Sequence, residues 1–147
     1  MMMVSSPTCE LCQSPGGELI HQGELFRVVL VDEANYPGFC RVIWRDHVKE
    51  ITDLKELDRM LMMDVMWQVE QVVRDVMQPE KINLASLGNM VPHLHWHVIP
   101  RYTDDAHFPA PVWAETKRTP STESLAARQE KLTLLRKKIQ QRLAAYK

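Results

Sequence analysis

Between Pro92 and Pro100 the chain reads His93-Leu94-His95-Trp96-His97-Val98-Ile99, so three of its six histidines alternate with apolar residues. In a β-strand successive side chains point to opposite faces. The alternation therefore predicts a strand with three imidazoles on one side and Leu94, Trp96 and Val98 turned into a core. Three titratable rings in register add nothing to strand stability, so a purely structural row is the weakest explanation. Two chemical ones remain. Strand histidines two apart could share a metal ion, or one neutral imidazole could act as a nucleophile while its neighbours orient it. Leu87-Gly88-Asn89-Met90, just ahead, resembles a backbone turn approaching an anion and favours the second.

The remaining chain supplies the sheet that such a strand needs. Residues 25–32 are rich in β-branched side chains and read as a strand, Tyr36-Pro37-Gly38 as a turn, and Cys40 to Arg45 as the partner strand. Leu54, Leu57, Leu61, Val65, Val69, Val72 and Val76 recur at three- and four-residue steps. They predict a long helix opening near Asp53, with Glu56 as its capping-box partner, and closing at Gln78-Pro79, because proline cannot continue it. Ile82 to Leu87 reads as a third strand, Gly88-Asn89 as a turn, and Val91 to Arg101 as the histidine strand. Residues 103–120, with Pro109, Pro111 and Pro120, read as an irregular loop. A last helix is expected from about Ser121 to Ala145, with Leu125, Leu132, Leu135, Ile139 and Leu143 inward. Cys40 reads as a small core residue, His21 and His107 as exposed surface histidines, and Met60, Met62, Met63 and Met66 as core filling and subunit contact. The expected class is α+β: an antiparallel sheet with a long central helix and a C-terminal helix packed on it. Residues 1–120 form the body of the domain, and 121–147 are the C-terminal helix of the same domain.

The formal net charge of −1 gives no bulk field for nucleic acid or acidic lipid. Arg136, Lys137, Lys138, Arg142 and Lys147 suit the negative end of a helix dipole and read as a solvated face, not a nucleic-acid site. No apolar run approaches bilayer length, and Met1-Met2-Met3-Val4 passes at once into polar residues, so neither a membrane span nor a secretion signal is expected. An odd count of three cysteines argues against a disulfide framework and for a reducing, cytoplasmic setting. Cys9-Glu10-Leu11-Cys12 is a Cys-x-x-Cys knuckle, a spacing shared by redox pairs, metal sites and chance. Pro15-Gly16-Gly17 follows it where a redox pair would want a helix, and a closed metal site would need two further ligands.

Val91-Pro92-His93-Leu94-His95-Trp96-His97-Val98-Ile99-Pro100-Arg101 resembles the signature of the histidine triad (HIT) family. The resemblance extends upstream through the long helix, His47, Val42-Ile43 and Pro37-Gly38, over roughly residues 9 to 101. It implies a HIT-like α+β fold, a nucleotide or nucleotidyl conjugate as partner, and a homodimer. It also implies attack by His95 on an α-phosphorus, with a covalent nucleotidyl-imidazole intermediate, and with His97 and His93 flanking the phosphate. The chemistry is sound in itself. A neutral imidazole nitrogen is a competent nucleophile near pH 7, and phosphoryl-type transfer needs positioning and charge stabilisation more than acid–base power.

The resemblance further places Asn89 where relatives carry a glutamine that bonds the phosphate or leaving group. It makes Asn83 a candidate for a missing amide near Ala85, and Asp32 a candidate for ribose. Phe39 stands where the family commonly has histidine, and the turn at Ser86-Leu87-Gly88 is shorter than the usual glycine-rich loop. Zinc-bearing members, like the related galactose-1-phosphate uridylyltransferases, join a cysteine knuckle to two histidines. By that resemblance Cys9, Cys12, His47 and His93 would hold a structural zinc, with no organic cofactor. The expected function is a hydrolase acting on a dinucleoside polyphosphate or nucleoside phosphoramidate. The rivals are a nucleotidyltransferase, whose acceptor is a phosphate or sugar phosphate, and a non-catalytic nucleotide sensor. Trp113 is expected to cover the nucleotide site.

Overall fold

The structure is a computed structural model describing residues 4–147; the expectation about Met1-Met2-Met3 lies outside the described residues. Five strands, β1 (Glu18–Gln22), β2 (Phe26–Leu30), β3 (Cys40–Trp44), β4 (Lys81–Ala85) and β5 (His95–Arg101), form one sheet in the order β1-β2-β3-β5-β4. Every neighbouring pair is antiparallel. The helices are α1 (Glu10–Gln13), α2 (Glu56–Met77), α3 (Thr122–Gln129) and α4 (Leu132–Arg142).

Alternation gives the sheet two working faces. Phe26, Val28, Leu30, Cys40, Val42, Trp44 and Val98 join Met62, Val65, Met66, Val69 and Val73 of α2 and Leu135 and Ile139 of α4 in the main core. On the opposite face Val29 and Ile43 pack with Cys9 and Leu11 of the knuckle, while Tyr36, Phe39 and Ile99 pack with Val31 and Val112. His95 and His97 belong to this second face, flanked by those two small clusters.

Several expectations need correction. β1 was not anticipated: it buries only Ile20 of its five residues, so no alternating signal marks it. The histidine strand begins at His95, because the residues ahead of it turn, with His93 N bonded to the Val91 carbonyl at 2.8 Å. His93 thus lies outside the strand. Asp53 does not open α2; with Glu50 it forms the capping box of a separate 3-10 turn, Ile51–Asp53. Within α2, Leu57 is 73% exposed, and Met62, Met66 and Met77 fill the core instead. The C-terminal helix is broken at Glu130-Lys131 because its halves have different anchors. α3 is tied to Asp104 through Ser124 and Arg128, whereas α4 buries Leu132, Leu135 and Ile139. The basic face is partly spoken for, since Arg136 pairs with Glu18 of β1 at 2.6 Å.

Candidate active site and metal centre

The alternation places His95 and His97 on the same side of β5, where they lie opposite Ile43 and Arg41 of β3. Their rings meet edge to face with centroids 4.8 Å apart. His95 donates from Nδ1 to the His93 carbonyl at 2.5 Å. In a neutral ring this puts the proton on Nδ1 and leaves the Nε2 lone pair for chemistry. Ser86 steadies the same residue by donating from its hydroxyl to the His95 carbonyl at 2.9 Å. Burial, then the positive charge of Arg41, outweighs the hydrogen bond to His93 and holds the His95 pKa below the usual imidazole range. His97 is pushed further, to about 3, by burial and then by His95 and Arg41. Both rings are therefore neutral near pH 7. A cavity of about 220 Å³ opens beside His95, bordered by Gly88, Leu87 and Ser86 of the loop before the triad.

His97 sits in an aromatic clasp. Phe39 meets it at 5.6 Å and the ring of Trp113 at 5.1 Å, so the loop after β5 does reach over this residue. That loop is anchored by a polar knot that the sequence did not announce. The Asp105 carboxylate accepts from Arg101 Nε at 2.8 Å and from the backbone N–H groups of Tyr102, His107 and Phe108. Tyr36 donates to Asp105 and lies 2.6 Å from His107 Nδ1. His107 is thus a half-buried member of the knot, not an exposed surface histidine. His21 is corrected in the same way, with Nε2 at 2.9 Å from the Tyr146 carbonyl and its ring stacked on Phe26.

The other site residues named from the sequence scatter. Asn83 lies on the histidine face, but its amide oxygen accepts from Arg101 Nη1 at 2.7 Å, a bond that ties β4 to β5. Asn89 is exposed on the loop before the triad. Asp32 lines a different cavity with Leu132 and Arg136, in the helical layer, and none of the three histidines borders it.

The His93 side chain faces away from this chemistry. It donates from Nε2 to the Trp44 carbonyl at 2.6 Å, which leaves the Nδ1 lone pair directed at Cys9 Sγ, 3.4 Å away, and Cys12 Sγ, 3.5 Å away. His47 Nδ1 stands 3.5 Å from Cys12 Sγ. One ligand atom from each of Cys9, Cys12, His47 and His93 lies within 4.8 Å of the others. A tetrahedral Cys₂His₂ zinc has sulfur–nitrogen edges of about 3.6 Å, given its usual bond lengths. The four residues fit such an ion, and the second nitrogen of His93 already has the carbonyl partner expected of a metal-bound histidine.

A five-stranded antiparallel sheet bearing this triad defines a class. Residues 16–104 match the HIT domain, and the chain belongs to the HIT family. It is similar to a histidine triad protein from Bradyrhizobium japonicum, at 31% identity and a TM-score of 0.73, covering 92% of this chain and 98% of that one. A histidine triad protein from Marinobacter aquaeolei is 26% identical with a TM-score of 0.71, covering 94% and 99%. A zinc-bound histidine triad family protein from Mycobacterium smegmatis shares the fold at 21% identity and a TM-score of 0.62, covering 94% and 97%. The AP-4-A phosphorylase of Mycobacterium tuberculosis is 30% identical over an alignment of 98 positions that covers 63% of this chain and 50% of that protein. The chain thus spans about half the length of the curated relatives it matches.

Proposed function

We propose that the protein is a nucleotidyl-histidine enzyme acting on the α-phosphate of a dinucleoside polyphosphate or related nucleotidyl conjugate, with water as acceptor. The observation that carries this is the hydrogen bond from His95 Nδ1 to the His93 carbonyl, which supports Nε2 of a buried neutral ring as the nucleophilic nitrogen. In the first step His95 Nε2 forms a bond to the α-phosphorus while the P–O bond to the leaving phosphate breaks. The electron pair departs with the leaving oxygen. The ring becomes a cationic phosphoramidate whose proton stays on Nδ1, hydrogen-bonded to the His93 carbonyl. In the second step water attacks the phosphorus, the N–P bond breaks, Nε2 recovers its lone pair, and the proton of the attacking water passes to solvent. His97, neutral beside the phosphate, supplies an N–H donor without adding charge repulsion to the nucleophile.

The similarity to a protein named AP-4-A phosphorylase supports a dinucleoside polyphosphate as substrate, and it also supports a second outcome in which phosphate replaces water as acceptor. Cys9, Cys12, His47 and His93 would hold a structural zinc, which supplies cross-linking of the knuckle to the segment that leads into β5. The zinc-bound relative supports that assignment. No helix among the described residues is long and apolar enough to cross a membrane, and three free cysteines suit a reducing cytoplasm. A homodimer is proposed through α2, where Leu57, Met60 and Trp67 are 73%, 59% and 57% exposed beside an apolar cavity that Trp96 also lines.

The test uses diadenosine tetraphosphate labelled in its adenylate. Label retained on wild-type protein, absent from His95→Ala and discharged by water, is the expected result. Discharge only by added phosphate would assign the transferase. Nucleotide binding with no adduct, or unchanged turnover by His95→Ala, would sink the enzyme altogether.

A further inference from the structure

Three arginines lie on the histidine face of the sheet, and two have evident structural employment. Arg27 donates to the carbonyls of Leu11, Ser14 and Pro15, closing the end of α1. Arg101 is satisfied by Asp105, Asn83 and the Ala110 carbonyl. Arg41 is different. It occupies the β3 position directly across from His97. Its Nη1 donates to the Gly16 carbonyl at 3.0 Å, while its Nε is buried without a partner among the described residues. None of the ion pairs among the described residues includes it.

A half-buried guanidinium with an orphaned donor and no carboxylate is costly unless some anion completes it. The carboxylate of Glu10 acts on it only through space, from an exposed position and without forming an ion pair, and Phe39, whose ring centroid lies 5.9 Å from Arg41 Cζ, offers only a π-face. Directly opposed residues on antiparallel strands carry their Cβ atoms about 5 Å apart. A guanidinium there is within reach of the phosphate next to one held at His95 and His97. The bond to Gly16 holds the fork in place, and a planar fork suits two phosphate oxygens at once.

We propose that Arg41 is a phosphate-binding residue, taking the phosphates beyond the α-phosphorus of a nucleoside polyphosphate and so selecting anionic polyphosphate leaving groups over phosphoramidates. This rests on the function proposed above for its choice of reacting phosphorus, but not for the anion subsite itself. The position is specific to the charge: an aliphatic residue would satisfy the alternation of β3 equally well and would leave no cation opposite His97.

Two measurements on the full chain decide it. Calorimetric titration with inorganic tripolyphosphate should give binding to the wild type and to His95→Ala. Binding should be weakened by roughly tenfold or more in Arg41→Gln, whose amide can still donate to Gly16, and less in Arg41→Lys. In turnover, the ratio of kcat/KM for diadenosine tetraphosphate to that for adenosine 5′-phosphoramidate should fall by roughly tenfold in Arg41→Gln. Equal tripolyphosphate affinity in wild type and Arg41→Gln would overturn the proposal, and so would an equal loss on both substrates, which marks a residue that only tunes the histidines. A wild type that turns over neither substrate would overturn the proposed function, while the tripolyphosphate titration would still settle Arg41.

Discussion

His95 and His93 are joined through the backbone: the His95 ring donates from Nδ1 to the His93 carbonyl at 2.5 Å, while the His93 side chain reaches the two knuckle sulfurs. One residue therefore both belongs to the candidate metal centre and sets the tautomer of its neighbour. Metal removal should be felt in stability first. Protein purified without chelator should hold at least about one zinc per two chains. Stripping the metal, or Cys12→Ser, should lower the melting temperature by roughly 10 °C in thermal unfolding. An unchanged melting temperature after verified metal loss would count against the tetrahedral site.

The knot around Asp105 should be worth more than its size suggests. Asp105 is fully buried and Arg101 is 2% exposed, so removing one partner strands an uncompensated charge. Asp105→Ala should cost about 3–5 kcal/mol in urea unfolding. Burial alone would raise the Asp105 carboxyl, but Arg101 and the surrounding amides hold it at about 2. Its contribution is complete above the unfolded carboxylate range, near 3.9, and disappears as pH falls toward 2. A urea midpoint within error of wild type at pH 7 would show that the knot contributes nothing.

Acid should also act through His97, with the opposite chemistry and the same sign. The native ring resists protonation down to about 3, whereas the unfolded ring takes a proton near 6.5. Between those values the unfolded state binds more protons, so stability falls as pH drops, with a slope of up to about 1.4 kcal/mol per pH unit from this group. Unfolding measured at pH 7 and pH 5 should show a shallower decline in His97→Asn than in wild type. Parallel declines would remove His97 from the account.

The exposed apolar row on α2 predicts self-association. Light scattering on wild-type protein should give twice the chain mass of 17.1 kDa, and Trp67→Glu, which would bury a charge within the row, should give the single-chain mass. A wild type that stays at 17.1 kDa at high micromolar concentration rules the interface out.

Much of this was legible in the chain because it depends on local period. Alternation at 93–99 correctly put His95 and His97 on one face, and three- and four-residue spacing correctly put Val65, Val69 and Val72 of the long helix into the core. Cys40, at the head of an apolar strand, is fully buried as its neighbours imply. Where the local signal was weak the sequence misled. β1 buries a single side chain, and the strand that the alternation marked was begun at Val91, four residues ahead of where β5 starts.

Sequence alone determined the strand and helix periods and the family signature, since each is written in residues a few positions apart. Tertiary structure decided the rest. It turned His93 toward Cys9 and Cys12, drew Tyr36 and His107 into the Asp105 knot, and sent Asp32 to the helical layer. It also set Arg41 opposite His97, 56 positions further along the chain. The physical reason is that periodicity is a property of one segment, whereas register is a property of two. Which residue of β3 faces which residue of β5 follows from burying Val42 and Val98 under α2, a choice made by the core as a whole.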